Sequence, residues 1–149
     1  MRLGLIALAT LALAACAPDA AKVDAEIRKF AGVYLATTDV GTSVSMLDEA
    51  GSVTSISGEG KVIRGRDAIR DYANKNIAFL RQITITPGAI DVSRVCATHA
   101  LVIAPFSVSA TAVPQITMAE GTATFLVTRR DSGWRVVHEH YSYSVLRRP

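Results

Sequence analysis

Charge, cysteine and histidine are all scarce in this chain, and each scarcity narrows what it can do. Only 19% of its 149 residues are charged, sixteen basic against thirteen acidic, for a formal net charge of +3. The densest basic pairs, Arg129-Arg130 and Arg147-Arg148, have no aromatic residues interleaved with them. A surface that tracks a nucleic-acid backbone needs both kinds of residue, so nucleic acid is not an expected partner. Two cysteines, Cys16 and Cys96, allow at most one disulfide. The three histidines, His99, His138 and His140, have no acidic or thiolate ligand visibly placed with them, so no metal is expected. Glycine-rich phosphate loops, serine nucleophile elbows and cysteine motifs are missing too, and no cofactor is expected. Internal repeats, low-complexity tracts and long linkers are absent, and half the residues are apolar, which suits one domain with a real core.

The N-terminus stands apart from that domain. Arg2 precedes an uncharged, strongly apolar stretch of thirteen residues, 3–15. Spanning a bilayer takes about 20 residues, so the stretch reads as the apolar part of an export signal and not as a transmembrane helix. It ends in Leu13-Ala14-Ala15-Cys16, which resembles the bacterial lipobox, where cleavage just before a cysteine frees it for acylation. The expected organisation is a lipoprotein signal at 1–15, a lipidated Cys16 with a short tether through 21, and one domain over 22–149. The resemblance implies an exported protein anchored to the membrane through its N-terminal lipid. Ala17 after the cysteine points to the periplasmic face of the outer membrane if the host is Gram-negative. The competing reading is an ordinary signal cut nearby, with Cys16 left as an incidental thiol. With Cys16 acylated, Cys96 has no partner for a disulfide and reads as a small buried apolar side chain.

Within the domain, residues 21–38 carry apolar positions at Val23, Ile27, Phe30, Ala31, Tyr34 and Leu35, the three-and-four spacing of an amphipathic helix. Thr42 is placed to cap a shorter helix that uses Val44, Met46 and Leu47. Two short strands follow, and then a third helix with Ala68, Ile69, Tyr72, Ala73, Asn76, Ile77 and Leu80 on one stripe. Beyond Arg81 the pattern turns to strands. Pro105 would interrupt a central ladder and belongs at an edge or bend. The last two strands form a hairpin about Arg130-Asp131-Ser132-Gly133. Alternation along its second arm sets Trp134, Val136, His138, His140 and Ser142 on one face and Arg135, Val137, Glu139, Tyr141, Tyr143 and Val145 on the other. Trp134 and Val136 need burial, so the histidine face is expected to look inward. Helices first and strands last predict an α+β fold.

Two segments carry a family resemblance. The segment running from Val62 through Arg64-Gly65-Arg66-Asp67 to Ala68-Ile69 looks like the entry to the third helix of nuclear-transport-factor-2-like (SnoaL-like) domains. Trp134-Arg135-Val136-Val137-His138-Glu139-His140-Tyr141-Ser142 resembles their terminal strand. The resemblance implies a cone: about three N-terminal helices packed on a strongly curved, mostly antiparallel sheet, with an apolar cavity at its wide end. Candidate residues for that cavity are Tyr34, Tyr72, His99, Trp134, His138 and His140. Enzymes on this fold place a carboxylate base, or a histidine and aspartate pair, inside the cone. No such group is legible here, so no catalytic residue is assigned. The expected function is noncatalytic binding of a small, largely apolar ligand or of an envelope partner. A small isomerase, dehydratase or cyclase using the tyrosines and histidines is the alternative, and a structural module with a filled cavity is the second alternative. Domains of this family often pair through the outer sheet face, and the apolar area of Val137, Tyr141, Tyr143 and Val145 on that face predicts a homodimer.

Overall fold

The computed structural model describes residues 19–50, 52–78, 80–112 and 115–147. The expected signal, Cys16 and Arg148 lie outside them. Helix α1 (Ala20–Ala36) begins where the Asp19 carboxylate accepts the Ala21 N–H at 3.0 Å, and it buries Ile27, Ala31, Tyr34 and Leu35. Helix α2 (Val40–Ser45) is capped by Asp39 and not by Thr42 as expected. The Asp39 carboxylate accepts from both the N–H (2.7 Å) and the hydroxyl (2.6 Å) of Thr42, so an ionised acceptor upstream takes the capping role and the helix starts earlier. Helix α3 (Arg66–Ile77) follows Gly65, whose φ of +86° suits glycine. Its buried stripe is narrower than the spacing predicts: Ile69 is buried and Tyr72 half-buried, but Ala68 and Asn76 are exposed.

Seven strands form one sheet: β1 (Thr54–Ile56), β2 (Val62–Arg64), β3 (Leu80–Pro87), β4 (Asp91–Arg94), β5 (His99–Ala112), β6 (Gln115–Arg130) and β7 (Gly133–Arg147). Their order is β2-β1-β7-β6-β5-β3, with β4 also paired to β5. Among these strands only β1 and β7 pair in parallel. Three helices on a curved, largely antiparallel sheet make an α+β cone, as the order of elements predicts. Ile27, Leu47, Val53, Val102, Phe125, Val127 and Val136 fill its centre.

Two local devices shape the sheet. Strands β3 and β4 share one edge of β5. The β4 ladder ends at Ile103 and the β3 ladder begins at Phe106, so Pro105 falls in the gap, where its missing N–H costs no ladder bond. Its carbonyl accepts from Gly88 at 2.7 Å. At Gly121 a Cβ would run into the Ser142 carbonyl and into Tyr143, so only glycine lets β6 and β7 approach this closely.

A third device decides the interior. Val127 pairs with Val136, but Leu126 pairs with His138, which leaves Val137 as an extra residue on β7. A bulge of this kind shifts every later side chain to the opposite face. Trp134 and Val136 are buried as expected, but beyond Val137 it is Glu139 and Tyr141 that turn inward. His138 and His140 therefore lie on the outer face, contrary to the expectation that they join Trp134. Tyr141 leaves the expected dimer surface for the same reason. The outer face carries Leu101, Ile103, Leu126, His138 and His140 on adjoining strands. Tyr143 follows the inward alternation but reaches the rim, 42% exposed, with its ring over Gly58.

Candidate functional site

The interior carboxylate sought in the sequence is Glu139. It is 4% exposed, on the concave face of β7, opposite Phe125 of β6 and level with Ser55 of β1. Tyr34 of α1 donates to its Oε2 at 2.5 Å, and Tyr141 donates to the same oxygen at 2.9 Å. Both are hydrogen bonds to an ionised acceptor, the strong class, and the first has the short length typical of that class. Because both phenols converge on Oε2, Oε1 is the oxygen they leave free. The helix contributes Tyr34 because position 34 continues the buried stripe of Ile27 and Ala31; the strand contributes the other two because the bulge at Val137 turns them in.

Aromatic rings wall the centre. Phe125 meets Tyr34 edge-on with centroids 5.3 Å apart and Tyr141 at 6.1 Å. Phe106 meets Tyr141 edge-on at 6.3 Å, and Phe30 stacks beside Tyr34 at 6.3 Å. In this dry surrounding the phenols of Tyr34 and Tyr141 are pushed well above the usual tyrosine range, first by burial and then by the Glu139 charge. They stay protonated and remain donors. A carboxylate withdrawn from water is costly unless it is compensated, and here two phenols supply the compensation. Chemically, the arrangement offers an acceptor or base at Oε1, with both phenol O–H groups committed to Oε2, in an aromatic surrounding.

The residues expected to share one pocket are distributed over several places. Tyr34 belongs to the Glu139 centre. Tyr72 lies at the rim, with the Lys61 ammonium 5.2 Å from its ring centroid. Burial, the Glu59 charge and Tyr72 raise the nearby Tyr143 phenol. Trp134 is buried at the opposite end of β7, with the Arg129 guanidinium 5.5 Å from its ring. His138 and His140 are on the outer face. His99 lies where the β4–β5 connection enters β5, and its Nδ1 is 3.0 Å from the Thr98 hydroxyl and 3.5 Å from Cys96 Sγ. Cys96, expected to be buried, is exposed there because a tight turn between antiparallel strands leaves it no core to enter. Hydrogen bonds from Thr98, then from His99, lower its thiol to about 7. Among the described residues, no group of three histidine, cysteine, aspartate or glutamate side chains is gathered for a metal ion.

Two hollows open on the surface of the described residues. One, of about 640 Å³, lies at the β6–β7 turn between Asp48, Arg130, Ser132 and Arg135. There Arg130 grips the buried Asp48 through two hydrogen bonds, 2.8 and 2.7 Å, which hold the carboxyl below its usual range. The other, of about 350 Å³, is bounded by Thr86, Pro105, Ser107 and Glu120, side chains exposed on the outer face of the sheet, and neither hollow is lined by Glu139, Tyr34 or Tyr141. Sequence reasoning missed Glu139 and Tyr141. A signal was present: Trp134 and Val136 ask for burial at even positions, Tyr141 and Tyr143 at odd ones, and one strand satisfies both only by gaining a residue between them.

The family model described as SnoaL-like domain matches residues 23–146. None of the curated proteins matches. Among solved structures, an NTF2-like superfamily protein from Salmonella enterica serovar Typhimurium superposes with a TM-score of 0.73 at 21% identity, covering 83% of this chain and 92% of its own. The hexachlorocyclohexane dehydrochlorinase LinA-type3 from Novosphingobium barchaimii gives 0.68 at 13%, over 85% and 91%. A candidate dehydratase of the NTF2-like family from Streptomyces avermitilis gives 0.71 at 17%, over 82% and 96%. At these identities the likeness is one of fold.

Proposed function

We propose, from the premise that this chain belongs to the SnoaL-like domain family, that it is an exported, lipid-anchored domain binding a small, largely apolar molecule against Glu139, Tyr34 and Tyr141. The observation that carries this reading is the Glu139 carboxylate, 4% exposed inside an aromatic wall and held by two phenols on one oxygen. A well-packed apolar group would fill that place at less cost, so a retained polar centre in an apolar chamber fits a binding role. The ligand class that suits the centre is a compact hydrocarbon skeleton with one hydroxyl or acidic C–H to meet Oε1.

The same residues support a second reading, proton abstraction. Glu139 would remove a proton next to an electron-withdrawing group while one phenol, its O–H turned from Oε2 to the substrate, donates to the oxygen or halide that gathers charge. A dehydrochlorinase and a candidate dehydratase stand among the similar structures. A histidine-based version loses its support, since His138 and His140 look outward. One experiment separates the two: native mass spectrometry and product analysis on a panel of small halogenated, hydroxylated and keto hydrocarbons, using wild type and Glu139→Gln. Retention without turnover, weakened in Glu139→Gln, supports binding; turnover abolished in Glu139→Gln supports elimination. A panel neither retained nor turned over, with Glu139→Gln as stable as wild type, would refute both.

A further inference from the structure

Helix α1 is charged asymmetrically. Its carboxylates are all occupied at its flanks or its start: Asp24 meets Arg94 at 3.2 Å, Glu26 meets Arg129 at 2.8 Å, and Asp19 caps the first turn. The side away from the sheet exposes Lys22, Ala25, Lys29, Val33 and Ala36 at three-and-four spacing, with Arg28 beside them. That stripe holds cations and small apolar groups and no carboxylate. Val33, one turn before its end, is 53% exposed. Arg28 donates Nε to the Ile90 carbonyl at 3.2 Å, a neutral acceptor that leaves its charge uncancelled.

The position of this stripe in the chain gives it a partner. Cys16 precedes Asp19 by three residues, a reach of at most about 11 Å even when fully extended, and α1 itself is about 25 Å long. An acylated Cys16 would therefore hold the cationic stripe within a helix length of the lipid headgroups. We propose that the exposed face of α1 lies on the surface of an anionic bilayer, with Lys22, Arg28 and Lys29 among the phosphates and Val33 toward the acyl boundary. This rests on the lipid-anchor reading given above. Each cation near such a surface strengthens attachment by about fivefold, so three contribute roughly a hundredfold, and salt weakens the effect. The sheet then stands above the helix, on the side away from the membrane.

The test uses the full chain carrying Val33→Trp, with the buried Trp134 as a constant background, on vesicles containing brominated lipid. Emission from the indole introduced at position 33 is expected to be quenched on mixed phosphatidylcholine and phosphatidylglycerol vesicles. Lys22→Glu with Lys29→Glu should abolish the quenching while the acyl chains keep the protein on the vesicle. A vesicle-bound chain whose introduced indole remains unquenched overturns the proposal and leaves the stripe to solvent or to an acidic protein. Mass spectrometry of the same sample reads the anchor separately: unacylated protein that is still quenched overturns the anchor alone, and unacylated protein that is neither bound nor quenched overturns both.

Discussion

Removing the two phenols one at a time and together tests whether Glu139 is held as its geometry implies. Tyr34→Phe deletes one oxygen and leaves the ring against Phe125, so packing is preserved and the loss is that of a hydrogen bond to a charged acceptor, about 1.5–3 kcal/mol. Tyr141→Phe should cost a similar amount. In the double variant the carboxylate has no phenolic donor left, and a buried charge stranded without partners is a penalty that neither single variant incurs in full. The two losses should therefore couple, the pair costing more than the sum of the singles. Urea unfolding measures this: with a slope of about 2 kcal/mol per molar, each single variant should lower the midpoint by about 1 M at unchanged slope. The alkaline limb checks the same centre. Both phenols have folded pKa values raised above the unfolded value, so their contribution is complete below about pH 10 and is lost as pH rises through the folded values. Each Phe variant should flatten that limb. Singles within about 0.5 kcal/mol of wild type and a strictly additive pair, with an unchanged alkaline limb, would refute the reasoning.

Two further outcomes follow from the outer parts of the fold. Alkylation of Cys96 should rise with a midpoint near pH 7; Thr98→Val should move it upward most and His99→Ala less. A wild-type midpoint near the ordinary thiol value of about 8.5 would show that the turn does not stabilise the thiolate. The outer sheet face, with Leu101 37% and Ile103 42% exposed beside Leu126, is where pairing of two copies is expected. Light scattering is expected to give a dimer mass for wild type and a monomer mass for Ile103→Asp, and a monomeric wild type would count against the pairing.

Much of the architecture was legible because burial is written in periods. The α1 stripe from Val23 to Leu35, the alternation of Ala123, Phe125 and Val127, and the place of Pro105 at a break in pairing all follow from local rules. The site was not legible, because its key residue depends on a count. Strict alternation from Trp134 sends Glu139 outward, and nothing in its immediate neighbours says otherwise. The contradiction shows only when Tyr141 is weighed against Trp134, far along the strand but on the same ladder with β6. Cys96 differs: its residue type argues for burial, while its exposure is set by the turn that carries it. The capping of α2 by Asp39 shows the same dependence on an upstream neighbour.

The bulge at Val137 also changes how this chain should be set beside others. Strand β7 is read in two phases, and the single extra residue is the place where one gives way to the other. A homologue without that residue would present side chains of opposite parity to its interior, so a gapless match column by column would pair Glu139 with a position that faces solvent. Swapping strands by such a gapless match would likewise transplant a chemistry into the wrong compartment. On this strand, taking Val137 into regular alternation would be enough to exchange an acid and a tyrosine for two histidines at the heart of the cone.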